Sequence, residues 1–171
     1  MKKIILFVYI TSVTIFWGQI FAATSAQQTY YNQLNTAHTW AYENQITSVQ
    51  CLDWFQPKQL INREQAAKMF VQYARATLQE SYFNRPNLQI NCSFNDKFVF
   101  SKDLYMFIIE ACRFGIFQWI DRSFYPQNNL TDSQANTVFR RISNKTTSTG
   151  TQDFITRGDL VIKMYNLYKS P

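Results

Sequence analysis

Three short motifs, spread from residue 60 to the end of the chain, each carry the signals of a helix start. In each one an apolar residue precedes Asn or Thr, and Gln or Asp follows three residues later. The paired positions are Asn62 with Gln65, Thr131 with Gln134, and Thr156 with Asp159. The first residue of each pair can accept a backbone N–H of the first turn, and Gln can return a bond to the cap. The motifs therefore predict three capped helices and a repeated helical unit.

Apolar residues recur at helical spacing behind each motif. The stripes are Ala66, Met69, Phe70 and Tyr73; Ala135, Val138, Phe139 and Ile142; and Leu160, Met164 and Leu167. These offsets place each stripe on one face of a helix, and only Lys163 interrupts the third. We expect helices near 63–82, 131–143 and 157–169 that pack on a shared core.

Two further helices are expected upstream, near 30–46 and 101–117, because apolar residues recur there with the same period. Ser101 or Asp103 is the candidate cap of the second, and Gly115 is well placed to end it in a left-handed conformation. The predicted fold class is all-α, a helical bundle of helix–loop–helix repeats.

A Phe-x-Pro element lies in the loop before the first two capped helices, as Phe55 with Pro57 and Phe124 with Pro126. This element, together with the flanking helices, divides the chain into repeats. Unit one covers 30–82, unit two covers 92–143, and unit three is a partial repeat at 144–171 that begins at its second helix. We expect the three units to form one domain.

Residues 1–26 have the pattern of an export signal. Lys2 and Lys3 precede an apolar run over 4–23, and small residues follow it. The run is also long enough to span a bilayer, so an uncleaved N-terminal anchor is the alternative. Either way, the rest of the chain is expected outside the cytoplasm, secreted or at the cell surface.

The three cysteines, Cys51, Cys92 and Cys112, all lie in the part expected to be exported. Export permits a disulfide, and an odd number leaves at least one cysteine unpaired within a single chain. Three pairings are possible, and three buried thiols are the alternative.

Composition argues against most catalytic and metal-binding classes. The chain has one His, and it lacks a Gly-rich phosphate loop, a serine nucleophile elbow and zinc-type Cys spacing. No spacing of carboxylates suggests the pair that glycoside hydrolysis uses. The net charge of +6 comes from scattered basic residues rather than from a nucleic-acid-binding stripe. We therefore expect no enzyme, cofactor, metal or nucleic-acid partner.

Unit two carries an ordered series of motif residues. They are Phe94, Asp96, Gly115, Ile116, Phe124, Pro126, Leu130 and Thr131. Unit one repeats the end of this series from Ile61 to Arg63, and unit three repeats it from Ile155 to Asp159. The order Phe-x-Asp, helix, Gly-Ile, Phe-x-Pro, Ile-Thr-Arg is similar to that of the S-layer homology domain family. Over most of 38–169 the chain resembles about two and a half degenerate repeats of it.

The resemblance implies a non-catalytic module that anchors a protein to the cell wall. Its repeats form a helical bundle whose grooves bind acidic polysaccharide linked to peptidoglycan. The Arg of the family motif contacts the ligand, which implicates Arg63 and Arg157. An Arg in the first helical turn lies where the helix favours an anion, and its fork can pair with a carboxylate. Unit two has Asp132 at this position, so its groove lacks the cation.

Trp54 and Trp119 lie in or beside the loops that precede the Phe-x-Pro elements, and they are candidate stacking platforms for sugar rings. Burial in the core is the alternative for both. A second functional class also stays open: an exported structural or adaptor protein of the S-layer or envelope. Such a protein would use degenerate repeats to contact other envelope proteins and would not bind polysaccharide. The membrane is a partner only if the N-terminal segment is retained.

Overall fold

The structure is a computed structural model that describes residues 25–78, 83, 92–118, 121–143 and 150–170. It is mostly helical, as the all-α prediction requires. The elements are α1 over 25–43, α2 over Leu52–Phe55, α3 over Arg63–Thr77, a 3₁₀ turn over Lys97–Val99, α4 over Tyr105–Arg113, α5 over Asp132–Ser143, and α6 over Arg157–Lys169. Within those residues extended pairing is limited to three isolated bridges and no strand forms.

The caps predicted for the three downstream helices are present. Asn62 and Gln65 exchange both bonds of a capping box. Thr131 and Gln134 also exchange bonds, at 3.1 and 3.3 Å. In unit three the hydroxyl of Thr156 accepts from the backbone N of Asp159 at 3.1 Å. The Thr156 hydroxyl also donates to Oδ2 of Asp159 at 2.6 Å. Residues three positions apart meet in the first turn, so these bonds form locally.

The predicted start and caps of α4 are wrong. The helix begins at Tyr105, and neither Ser101 nor Asp103 caps it with a side chain. The Ser101 hydroxyl instead donates to Oε1 of Glu64 at 2.6 Å. A long-range bond has therefore replaced the local one. The predicted end of α3 is also too late, because Leu78 is already extended.

Three buried residues, one before each cap, form a closed cycle of backbone hydrogen bonds. Ile61 N donates to Ile155 O at 3.2 Å, Ile155 N to Leu130 O at 2.9 Å, and Leu130 N to Ile61 O at 2.9 Å. All three side chains are buried. Each of these backbone groups is paired within the cycle, so the polar main chain can lie in the core without loss of hydrogen bonds. The three motifs therefore meet at one place.

The first N–H groups of each capped helix donate to loop carbonyls of a different unit. The bonds run from Arg63 and Glu64 to Asn128 and Pro126, from Asp132 and Ser133 to Asp153 and Thr151, and from Arg157 and Gly158 to Gln59 and Pro57. Groups at a helix start have no partner inside the helix, so the loops supply the acceptors. Unit one thus receives the loop of unit two, unit two that of unit three, and unit three that of unit one.

The residue between Phe and Pro is left-handed in both Phe-x-Pro elements, with φ of 54° at Gln56 and 56° at Tyr125. A second pair of residues with positive φ follows the first helix of units one and two. Here φ is 59° at Gln45 and 66° at Gly115. The position of Gly115 agrees with its predicted role at the end of α4. Units one and two therefore share their backbone conformation at two unusual points.

A disulfide joins Cys92 to Cys112, and Cys51 is a free, exposed cysteine. This pairing selects one of the three possibilities that the sequence leaves open. Cys112 lies on α4, while Cys92 precedes the Phe94 motif, so the bond ties the start of unit two to its first helix.

The chain has two compact parts, residues 1–36 and 37–171, and the elements from α2 onward lie in the second part. The expected export signal at 1–26 lies outside the described residues except for its last two positions, which are helical. The division into repeats at 30–82, 92–143 and 144–171 stays a prediction. Among the described helices, none is both long and apolar enough to cross a bilayer.

His38, the chain's only His, should make stability depend on pH. Its side chain is 2% exposed, and burial lowers its pKa below 6.5, although a bond to the Val49 backbone acts in the opposite direction. The unfolded chain then binds the proton more readily than the folded one. Stability should be constant above about pH 6.5 and fall below it, by at most about 1.4 kcal/mol per pH unit. Urea unfolding at pH 7.5 and 5.5 measures this, and His38→Phe should remove the difference. If His38→Phe loses as much stability between pH 7.5 and pH 5.5 as the wild type does, His38 is not the cause of the pH dependence.

Candidate functional site

A cleft of about 480 Å³ opens between the start of α3 and the loop of unit two, and we call it the Arg63 cleft. Its lining residues are Arg63, Tyr125, Gln127, Gln134 and Phe154, together with Asn and Thr residues. No carboxylate is among these lining residues. The cleft thus combines a cation, several amides and two aromatic rings.

The Arg63 guanidinium is held by main-chain oxygens and rings. Its Nε donates to Phe124 O at 2.7 Å and its Nη2 to Gln118 O at 3.3 Å. The guanidinium carbon lies 4.9 Å from the Phe124 ring centroid and 5.3 Å from that of Phe117. Its Nη1 donates to no described residue. Burial lowers the pKa of Arg63, and the nearby Asp96 opposes that shift. The group nevertheless stays charged, because arginine is always protonated in proteins.

Asp96 fixes the loop against which Arg63 packs. Its carboxylate accepts the backbone N–H of Phe124 at 3.0 Å and that of Tyr125 at 2.7 Å. Charged acceptors make stronger bonds to N–H groups than neutral ones, and these two offset the left-handed conformation of Tyr125. The Phe-x-Asp motif is therefore a structural support of the cleft.

Arg157 lines a second, smaller cleft of about 190 Å³, the Arg157 cleft. Its Nη1 donates to Phe55 O at 3.3 Å and its Nη2 to Oε1 of Gln65 at 3.4 Å. Burial lowers its pKa as well. The two arginines are equivalent, because each reaches the carbonyl of the Phe in another unit's Phe-x-Pro loop.

In unit two, Asp132 occupies the position that Arg63 and Arg157 hold in the other units. The charge there is reversed, and a neighbouring lysine neutralises it. The Asp132 carboxylate forms an ion pair with Lys163, and it accepts the backbone N–H of Thr151 at 3.3 Å. Lys163 also donates to Oδ1 of Asn136 at 3.1 Å. The lysine that interrupts the stripe of α6 is thus the partner of the aspartate that replaces the motif Arg. The sequence shows both anomalies but does not connect them.

Glu64 is a supporting residue that the sequence did not reveal. Its side chain is 4% exposed. It accepts from the Ser101 N–H at 3.0 Å, the Ser101 hydroxyl at 2.6 Å and Nε2 of Gln127 at 3.0 Å. These bonds compensate for burial of the carboxylate. They connect the start of α3 to both the α4 region and the wall of the Arg63 cleft. An acid at a helix start is usually an exposed partner of the dipole, so its position gave no signal.

Of the two tryptophan candidates, the structure describes only Trp54. Trp54 lies on α2 and is 81% exposed, so the alternative of a core position is wrong for it. It is not among the lining residues of either cleft. Trp119 lies outside the described residues. Across the described ranges, His, Cys, Asp and Glu form no cluster that could hold a metal ion.

These features define a class of protein: an all-α chain whose three capped helix starts meet in a hydrogen-bonded cycle, with Arg in two of the three equivalent positions. Comparison with protein-family models, with curated proteins and with solved structures finds no match. The relation to the S-layer homology domain therefore stays a prediction, as do the function, location and partners that it implies.

Proposed function

We propose that the protein is a non-catalytic cell-surface module that binds acidic polysaccharide linked to the cell wall. The observation that carries the proposal is the equivalence of two arginines at helix starts. Each is held against a loop of another unit, and each lines a cleft whose described lining residues include no carboxylate. In this view the chain is a degenerate member of the S-layer homology family, exported and held at the wall.

The Arg63 cleft has the chemistry that an acidic sugar needs. Arg63 supplies a charged donor beside the positive end of α3, where an anion is favoured. Gln134 supplies its Nε2 amide group for a sugar hydroxyl, since only its Oε1 takes part in the cap. Tyr125 and Phe154 supply aromatic rings. A volume of about 480 Å³ is within the usual range of small-ligand sites.

The Arg157 cleft is a weaker candidate for the same ligand. Its volume is less than half that of the Arg63 cleft. Lys68 adds a second cation to its lining, but Ile46, Val49 and Met69 make it more apolar. We therefore assign the main contact to Arg63 and an auxiliary one to Arg157, and none to the position of Asp132, whose charge Lys163 neutralises.

Two exposed aromatic residues favour the second candidate function, an envelope adaptor that contacts proteins. Trp54 is 81% and Phe98 is 87% exposed. Large aromatic side chains are enriched in protein interfaces. They belong to neither cleft, so an adaptor could use them without any polysaccharide.

Arg63→Ala should weaken binding to cell-wall sacculi by about ten- to a hundredfold, because it removes a charge-assisted bond to the anion. Arg63→Lys should recover only part of it, since lysine lacks the planar fork. Arg157→Ala should have a smaller effect, and Asp132→Asn should have none. Co-sedimentation with sacculi that carry or lack the linked polymer measures all of these at fixed ionic strength.

Arg141→Ala is the matched control for a structural effect. Arg141 also donates to a main-chain oxygen, that of Ile116 at 3.2 Å, and to Oε1 of Gln118 at 2.7 Å, but it lines neither cleft. If Arg141→Ala lowers sedimentation as much as Arg63→Ala, the site assignment is wrong. If the wild type does not sediment with any wall preparation, wall binding is wrong and the adaptor function takes its place.

A further inference from the structure

A groove of about 520 Å³ runs along one face of α4 and shares no lining residue with the two clefts. Tyr105, Ile109 and Arg113 form one wall, since residues four apart share a helix face. Cys92 and Lys97 belong to the facing wall. The proposed wall binding makes no use of this groove.

The groove is positively charged and its charges are not neutralised by the described residues. Lys97 and Arg113 line it, and both are exposed. Neither side chain forms an ion pair or a hydrogen bond with a described residue. The Lys97 ammonium lies 5.3 Å from the centroid of the Phe98 ring. None of the described residues that line the groove carries a carboxylate. Two such cations at one groove favour an anionic ligand.

The remaining lining groups narrow the chemical class of that anion. Ser93 and Tyr105 offer hydroxyl groups, and the Tyr105 ring is 39% exposed, so its face is accessible. Phe94 and Ile109 provide a buried apolar base. A matching ligand has a negative charge, several hydroxyls and a flat apolar face. A sugar ring that carries a carboxylate has all three.

We propose that the α4 groove is a second ligand site and that it takes an acidic sugar. The carboxylate lies between Lys97 and Arg113, and the ring packs on Tyr105. The site goes beyond the proposed wall binding, because it uses different residues and a single sugar or disaccharide is enough to fill it.

The disulfide makes this site sensitive to redox conditions. Cys92 lines one wall, and its partner Cys112 lies on α4 next to Arg113, with 5.9 Å between the two Cα atoms. The bond therefore holds the facing walls together. On reduction the segment that contains Cys92 and Lys97 loses its covalent tie to α4, the helix that carries Arg113. Reduction should weaken binding at this groove.

The experiment is an NMR titration of the ¹⁵N-labelled full chain with digalacturonate as the probe. We expect binding with shifts at the Lys97 and Arg113 amides. Lys97→Gln and Arg113→Gln should each weaken binding about tenfold, as expected for loss of one charged contact. Arg140→Gln is the matched control, because it removes an exposed charge outside the groove, and it should bind as the wild type does. Lactose, a neutral disaccharide, should not bind.

Several results would overturn the proposal. They are the absence of any shift with digalacturonate, equal binding by wild type, Lys97→Gln and Arg113→Gln, and equal displacement of the probe by acetate or inorganic phosphate. If Arg63→Gln abolishes binding and Lys97→Gln and Arg113→Gln do not, the sugar binds in the Arg63 cleft and not in the groove. Loss of sacculus sedimentation leaves this test intact, because the titration contains no wall polymer.

Discussion

We expect Phe124→Ala to lower the free energy of unfolding by about 3–5 kcal/mol. The Phe124 side chain is 1% exposed, and its ring centroid lies 5.7 to 5.9 Å from those of Phe94, Phe100 and Phe117. The Arg63 guanidinium packs on the same ring. Removal of the ring leaves a cavity that three other rings cannot fill without moving the cleft. Urea unfolding followed by far-UV dichroism measures the loss.

Phe98→Ala is the matched control, because it deletes the same atoms from a ring that is 87% exposed. A surface change of this kind should alter stability by no more than about 0.5 kcal/mol. Similar losses in the two variants would show that Phe124 is not a core anchor. A selective loss in Phe124→Ala should also weaken sacculus binding, since the variant deletes the ring on which the Arg63 guanidinium packs.

Removal of the Cys92–Cys112 disulfide should lower the free energy of unfolding by about 3 kcal/mol. The bond closes a loop of 20 residues, and the chain-entropy estimate for a loop of that length is about 3 kcal/mol. The test compares urea midpoints of oxidised and reduced wild type with that of a Cys92→Ala/Cys112→Ala double variant. Reduction should destabilise the wild type and should not change the double variant.

Cys51→Ser is the control for this prediction, because Cys51 is exposed and free. It should keep the stability of the wild type and its response to reductant. In the folded wild type one thiol should react with a thiol reagent, and in Cys51→Ser none should. A reductant that leaves the wild-type midpoint unchanged, or a second reactive thiol in the folded chain, would contradict the pairing.

The helices and their caps were predictable because the interactions that form them are local. Asn62 with Gln65 and Thr131 with Gln134 are three residues apart, and the apolar stripes follow the helical period. The prediction that Ser101 caps α4 failed because the interaction that the residue makes is not local. Its hydroxyl bonds to Glu64, 37 residues away, and no local pattern encodes that choice.

The candidate site also has a part that local patterns predicted and a part that they did not. The motif pattern selected Arg63 and Arg157, and each lines a cleft, although ligand contact at either stays a prediction. The pattern also marked Asp132 as a departure, but the ion pair that explains it needs Lys163 from another helix. Local spacing cannot show which side chains on two different helices will face each other.

Periodicity and capping chemistry alone determined the class of the fold, the positions of three helix starts and the faces that they bury. The assembly of those helices required the folded chain. Ile61, Leu130 and Ile155 look in sequence like three separate residues that precede caps, yet they close one hydrogen-bonded cycle. The same holds for the choice of Cys92 with Cys112 and for the loops that complete the clefts. These contacts join residues from 20 to more than 90 positions apart. The packing of the whole core selects such partners, so they leave no periodic signal in the sequence.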